Sequence, residues 1–312
     1  MAPDDDEDET FVAPRPERTF EMTCDIAVEV DGDRYATIDY GGTGPDILLI
    51  HQLASNAQVW APVAADLAGI GHVVAVDLRA HGLSRLPVDR PERLVGDVVG
   101  VARELGLHRP YVLVEQDEML ALDPDRMAGL DAPTLGMLAL ASVRRGEEAR
   151  TEWAEQVGPE TFDVWDERFG LFATGAADEF EPHLEKIVAR AHGDWVAHRI
   201  GVDQYRDFYR RQIETTPEGW RRLPGRQAMD DIVRYIETQP QGLDLLDTYD
   251  GPVWILASDE ATTDVEIETL REYTAGRDDR EIRVVPGGPK VEALDGEALA
   301  AAVAEMIRRH PA

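Results

Sequence analysis

Cysteine and lysine are nearly absent. A single cysteine, Cys24, in 312 residues excludes an intramolecular disulfide and a cysteine-rich zinc site. Without an activating context it reads as a packing residue. Two lysines, Lys186 and Lys290, stand among 31 basic residues, against 62 acidic ones and a formal charge of −31. Nucleic acid and anionic membranes are themselves polyanions, so this balance argues against both as partners. No apolar run approaches the ~20 residues that span a bilayer. The opening "MAPDDDEDET" has neither a basic region nor an apolar stretch, so it does not read as a signal peptide, and a cytoplasmic location is expected. There is no internal repeat.

What is present is apolar residues at 43%, enough for a globular chain with a substantial core. Residues 1–18, with six acidic residues from Asp4 to Glu9, read as a disordered tail. After them, "CDIAVEVDGDRYATIDYGGTG" alternates around a "DGD" turn, as a hairpin does. "DILLI", "HVVAV" and "YVLV" are short apolar runs of the buried parallel-strand kind. Helical patterns lie between them, in "NAQVWAPVAADLAGIG" and "RPERLVGDVVGVARELGLH". Strand–helix alternation predicts an α/β fold with a mostly parallel, doubly wound sheet. From 136 to 249 the text turns helical and rich in Trp, Arg and Glu, and is expected to form an insertion over the sheet. Residues 19–135 and 250–312 then form the two parts of the core, the second with "GPVWILAS", "EIRVVPGG" and a closing helix.

In such sheets, ligand chemistry sits at the carboxyl ends of the strands. That places His51-Gln52, Asp77 to Gly82 and the stretch after "YVLV" on one rim. The last of these runs straight into charge: Glu115, Asp117 and Glu118 fall within four residues.

The segment "DYGGTGPDILLIHQLASNAQVWAPVAADLAGIGHVVAVDLRAHGLSR" resembles the start of the α/β-hydrolase fold superfamily. The family's Asp-x-Arg-Gly-His-Gly-x-Ser loop reads here Asp77-Leu78-Arg79-Ala80-His81-Gly82-Leu83-Ser84, departing at Ala80. The resemblance continues through "YVLV", "DPDRMAGL" and "GPVWIL" to the end, with 136–249 as a helical lid. It implies a nucleophile elbow, Gly-x-Ser-x-Gly, where this chain has Glu115-Gln116-Asp117-Glu118-Met119. Asp117 stands at the nucleophile position, both glycines are replaced, and the turn is expected to relax or change geometry. Some members of the dehalogenase and epoxide-hydrolase type use Asp there, but with the glycines kept. Lys290, in "VVPGGPKVEALD", falls at or near the position of the family's histidine. The acid position falls on Asp259, with Asp264 and Glu260 as alternatives. Gln52 replaces the glycine of His-Gly, beside the oxyanion donor implied at Leu53; Gln116 and Glu118 flank the same pocket. His51 and His81 match structural histidines of the family motifs.

A triad needs an activated nucleophile and a base that cycles its proton. Lysine at its ordinary pKa near ~10.4 is charged and cannot serve as that base, and neighbouring carboxylates hold it so. The expectation is therefore a hydrolase-fold protein without hydrolase chemistry, a pseudoenzyme or small-molecule binder. The alternative is a hydrolase of esters, epoxides or haloalkanes with Asp117 as nucleophile. A Lys290–Asp117 ion pair could replace the Ser–His contact; otherwise Lys290 is a solvated loop residue. No cofactor is implied. A metal held by Glu115, Asp117, Glu118 and His51 matches no ligand spacing. The expected partner is a small apolar ligand under the lid, and the oligomeric state is left open. His183, His192 and His198 make no i, i+4 pair and read as ordinary lid residues; Trp195, Tyr205 and Tyr209 read as packing. Pro133, in "MAGLDAPTLGML", predicts a poor central strand there.

Overall fold

The computed structural model describes residues 24–91, 93–115, 128–138, 143–157, 159–192, 201–288 and 290–312. The acidic segment 1–18 and residues 116–127, with Gln116, Asp117 and Glu118, lie outside the described residues, as do Trp195 and His198.

The chain opens as an antiparallel hairpin of β1 (Cys24–Val30) and β2 (Asp33–Gly41). Asp31 and Gly32 between them both take positive φ, 52° and 86°. That is the two-residue turn whose twist matches its strands, and Asp-Gly is its preferred sequence. Then follow β3 (Asp46–Ile50), a single 3₁₀ turn (Ala57–Trp60), α1 (Ala61–Ala68), β4 (His72–Val76), α2 (Arg93–Glu104) and β5 (Tyr111–Val114). Asn56 caps the 3₁₀ turn by accepting the Gln58 N–H at 2.9 Å, and proline stands in the first turn of α1, where no N–H is missed.

The expected weak strand does form, as β6 (Leu135–Met137), between β5 and β10 (Val253–Ser258). Pro133 lies just ahead of it and removes no ladder bond, and all three strand residues are buried. β11 (Arg280–Val285) completes an eight-stranded sheet of order β1-β2-β4-β3-β5-β6-β10-β11. The pairs from β4 to β11 are parallel, and β1–β2 and β2–β4 are antiparallel.

Alternate residues of each strand face opposite layers. Leu48, Ile50, Val112 and Val114 pack toward α2, while Ile47, Leu49, Tyr111 and Leu113 pack toward α1 and the C-terminal α10 (Gly296–Arg309). Because both faces are covered, the strands are apolar throughout rather than alternating.

Between β6 and β10 stands the inserted segment. Gly136, expected to begin it, lies instead inside β6. The segment holds α3 (Gly146–Val157), α4 (Pro159–Phe169), α5 (Phe180–His192), α6 (Val202–Arg211), α7 (Arg226–Ile236) and α8 (Leu243–Leu246). It also holds a small antiparallel sheet that the helical reading lacked, made of β7 (Thr174–Gly175), β8 (Ile213–Thr216) and β9 (Gly219–Arg222). Tyr205 and Tyr209 pack against its own small core, with Tyr209 fully buried. α9 (Asp264–Thr274) lies between β10 and β11, with Thr263 and Glu266 forming a capping box. Among the described residues, no helix is long and apolar enough to cross a membrane.

Candidate functional site

The chain passes from β3 to β4 on one side, then returns to place β5 on the other side of β3. That reversal opens a crevice at the strands' carboxyl ends. β3 delivers His51-Gln52 to it, and β5 delivers Glu115, whose N–H still donates to the Ile50 carbonyl at 3.0 Å.

The loop after β3 is pinned from below by two histidines. Each ring accepts a backbone N–H at Nε2, His51 from Leu78 and His81 from Ala54, both at 3.1 Å. Each Nδ1 must then carry the proton, donating to the Gln52 carbonyl at 2.7 Å and the Arg79 carbonyl at 2.8 Å. Burial pushes both rings down, His81 to about 4, so they stay neutral. With both nitrogens engaged, neither has a lone pair for a metal or a substrate proton.

Asp77 is fully buried beside them. It accepts the Ala57 and Leu83 N–H groups at 2.8 and 2.9 Å, and Arg211 Nε, at the end of α6, at 2.9 Å. Arg211 Nη1 reaches on to Asp25 at 2.7 Å. The inserted segment is thus latched to the rim, helped by Gln212 donating to the Ala54 carbonyl at 2.7 Å and Asn56 to the Phe208 carbonyl at 3.0 Å. Arg79, 2% exposed, turns the other way into a buried cluster with Asp97, Asp33 and Tyr35.

Glu115 is the unusual member. Its side chain is 2% exposed, and Oε2 accepts the Gln52 N–H at 3.0 Å. Oε1 is buried with no hydrogen-bond partner among the described residues. Burial and then the charge of Glu292 push its carboxyl up to about 8, opposed by the Gln52 N–H and Lys290. Glu292, in the 3₁₀ turn Val291–Ala293, is itself raised by burial and held down by Lys290. Burial thus raises both carboxyls, and the two titrate as a pair rather than independently.

Glu115, Lys290 and Glu292 share a cavity of about 610 Å³ with Gln52, Leu53 and Ser55. Its outer wall comes from the inserted segment and is largely apolar, through Phe162, Trp165, Phe169, Phe208 and Met229, with Arg168 and Arg222 among them. That balance, an apolar wall and a few convergent polar groups, is what small-molecule sites look like. Lys290 is half-buried, and among the described residues no carboxylate lies within 4.0 Å of its ammonium. Among the described lining residues there is no histidine.

The structure therefore brings Gln52, Leu53 and Lys290 together and adds Glu292 and Ser55, which sequence reading missed. Asp259 is exposed and outside the lining; its Oδ1 accepts the Gly287 N–H at 2.8 Å. With Ser258, which donates to the Gly287 carbonyl at 2.6 Å, it ties the end of β10 to the loop carrying Lys290. Asp264 begins α9, and Glu260 is exposed in the turn before it. His183, read as an ordinary residue of the insertion, bonds Tyr209 at 2.8 Å. Among the described residues no group of three or more His, Cys, Asp or Glu could hold a metal.

No family model matches the chain. Solved structures do. E-2-(acetamidomethylene)succinate hydrolase is similar over 92% of this chain and 100% of its own, with a TM-score of 0.65 and 19% identity. A thioesterase domain from the curacin biosynthetic pathway covers 92% and 100%, with a TM-score of 0.60 and 16% identity. The chain has the α/β-hydrolase fold. At these identities the likeness concerns the fold, and the fold hosts many chemistries. A fluoroacetate dehalogenase from a Burkholderia species is 35% identical over 113 residues. That match takes in 32% of this chain and 37% of the dehalogenase, so the chain matches little more than a third of that relative's length.

Proposed function

We propose that this chain binds a small, largely apolar molecule between the sheet rim and the inserted segment, which acts as a lid, and that it does not carry out Ser–His–Asp hydrolysis. The observation that carries this is Glu115. On the α/β-hydrolase fold its position is the first glycine of the nucleophile elbow, where the turn leaves no room for a side chain. Here a buried carboxyl occupies that place and takes up the Gln52 N–H, next to the Leu53 backbone where the fold would supply an oxyanion donor. Lys290, at or near the position of the fold's histidine, lines the cavity and acts on the Glu115 and Glu292 carboxyls through its charge. Asp117 would be the residue at the nucleophile position, Gln116 and Glu118 its neighbours, and a Lys290–Asp117 ion pair would stand where a hydrolase has its base. Asp259, at the acid position, would serve the Lys290 loop rather than a histidine.

A second reading has one observation in its favour. The curated relative is named a dehalogenase, and an Asp nucleophile at 117 would suit that chemistry. One experiment separates the two. Purified protein and Asp117→Ala are assayed for turnover of p-nitrophenyl esters, an epoxide, a haloalkane and fluoroacetate, and for binding of a hydrophobic fluorescent probe. Probe binding without turnover is expected. Turnover that disappears in Asp117→Ala would overturn the binding-protein reading in favour of the enzyme.

A further inference from the structure

Three buried side-chain oxygens, Glu115 Oε1, Ser55 Oγ and Glu292 Oε2, belong to residues that line the cavity and have no hydrogen-bond partner among the described residues. Glu115 commits Oε2 to the Gln52 N–H at 3.0 Å, while its Oε1 is buried and pairs with nothing among the described residues. The Ser55 side chain is 3% exposed, and its Oγ is likewise unpaired. Both residues line the 610 Å³ cavity. They meet through one short turn: Gln52 holds Glu115 by its N–H and accepts the Ser55 N–H at its carbonyl, 3.3 Å away. Buried polar atoms left unpaired are rare and mark a place for a ligand or an ordered water.

We propose that the cavity takes a neutral ligand with an apolar body and a carbonyl group, whose oxygen is held by the Glu115 carboxyl and the Ser55 hydroxyl. The ligand-binding reading above is its premise. The direction of the hydrogen bonds follows from which oxygen is already used. Oε2 accepts an N–H, so in the neutral carboxyl it is the carbonyl oxygen, and the hydroxyl proton belongs on Oε1. Burial and the neighbouring Glu292 favour that neutral form. A carboxylic acid kept neutral in an apolar site is a strong donor to a ligand oxygen. The charged and titratable groups around it are Glu292 and Lys290 from the loop after β11, and Arg168, Arg222 and Tyr205 from the inserted segment. Asp117 and Glu118 follow in sequence, outside the described residues. A cationic amine would need Glu115 ionised. A neutral acceptor satisfies both hydroxyls, while Phe162, Trp165 and Phe208 cover the apolar body.

Three probes of one shape test it: acetophenone, ethylbenzene and 1-phenylethylamine carry a carbonyl, no polar group and an ammonium. Their affinities are measured by titration calorimetry at pH 6 and pH 9 on the full chain, on Glu115→Gln and on Glu115→Ala, with circular dichroism to show that each variant is folded. At pH 6 the unaltered protein should bind acetophenone about tenfold more tightly than ethylbenzene. That preference should vanish at pH 9. Glu115→Gln should keep it at both pH values, since its amide accepts from Gln52 and offers an N–H to the cavity. Glu115→Ala should lose it at both. Equal binding of acetophenone and ethylbenzene at pH 6 would overturn the inference while leaving an apolar binding site in place. Tightest binding of the amine, increasing toward pH 9, would overturn it equally. Failure of all three probes to bind would remove the ligand-binding reading itself.

Discussion

Replacing Glu115 by glutamine should change how stability depends on pH. The carboxyl is buried, and its affinity for a proton is raised from an ordinary value of 4.5 to about 8. In that window the native state keeps a proton that the unfolded chain has released. Stability therefore falls as pH rises, by about 1.4 kcal/mol per pH unit for each proton retained. Below the window both states are protonated, and above it both are ionised, so the dependence stops at either end. Two units, from pH 6 to pH 8, make about 3 kcal/mol an upper bound, because Glu115 lines a cavity roomy enough for water. Glu115→Gln keeps the bond to the Gln52 N–H and cannot titrate. Urea denaturation at pH 5, 6, 7, 8 and 9 should show its stability changing less steeply than that of the unaltered protein, with the gap widening toward pH 8. Glu292, raised in the same direction, leaves a residual slope that Glu115→Gln/Glu292→Gln should remove. Parallel curves for Glu115→Gln and the unaltered protein would refute the claim that this carboxyl is held neutral.

Other substitutions test the rim. Arg211→Leu removes the countercharge of fully buried Asp77 and the tie to Asp25, and should cost about 3–5 kcal/mol in chemical denaturation. Trypsin should also cut the inserted segment of that variant faster, because the latch is gone. Ala80 stands at φ 62°, a left-handed conformation in which a Cβ is strained, so Ala80→Gly should stabilise by ~1 kcal/mol, read as a raised melting temperature. Gly82→Ala, two residues on, should do the reverse and destabilise severely. Its φ is 52°, and a Cβ there would lie 2.3 Å from the Asp77 carboxyl carbon, which Arg211 and two N–H groups hold in place.

Much of the fold could be read from the sequence because local signals and the fold agree. "DILLI", "HVVAV" and "YVLV" are apolar at every position, which only a sheet covered on both faces requires. Asp31-Gly32 is a turn with a backbone reason. The small sheet of the inserted segment was not legible. Its strands run two to four residues, too short for any period to show, and they are joined by pairing rather than pattern. β6 went the other way: proline argued against a strand, but the strand starts two residues later, and its short length suffices between two neighbours.

At the site, the sequence placed Glu115 on the correct rim but could not say what its carboxyl does. That depends on two contacts from far along the chain. Gln52, 63 residues earlier, offers its N–H, and Glu292 arrives from a 3₁₀ turn after the last strand. Neither is implied by any spacing. The "DLRAHG" loop makes the same point from the other side. Its Asp, His and Gly could be taken for a site, since charged and titratable residues cluster there. The geometry gives every one of those groups a structural partner: Asp77 holds two N–H groups and Arg211, His81 holds Ala54 and Arg79, and Gly82 makes room for Asp77. A polar group with all its partners inside the protein has nothing left to offer a ligand. The oxygens of Glu115, Ser55 and Glu292, unpaired among the described residues, do, and all three residues line one cavity. Three unpaired oxygens gathered on residues of one cavity, rather than reactive residue types clustered in sequence, mark the candidate site.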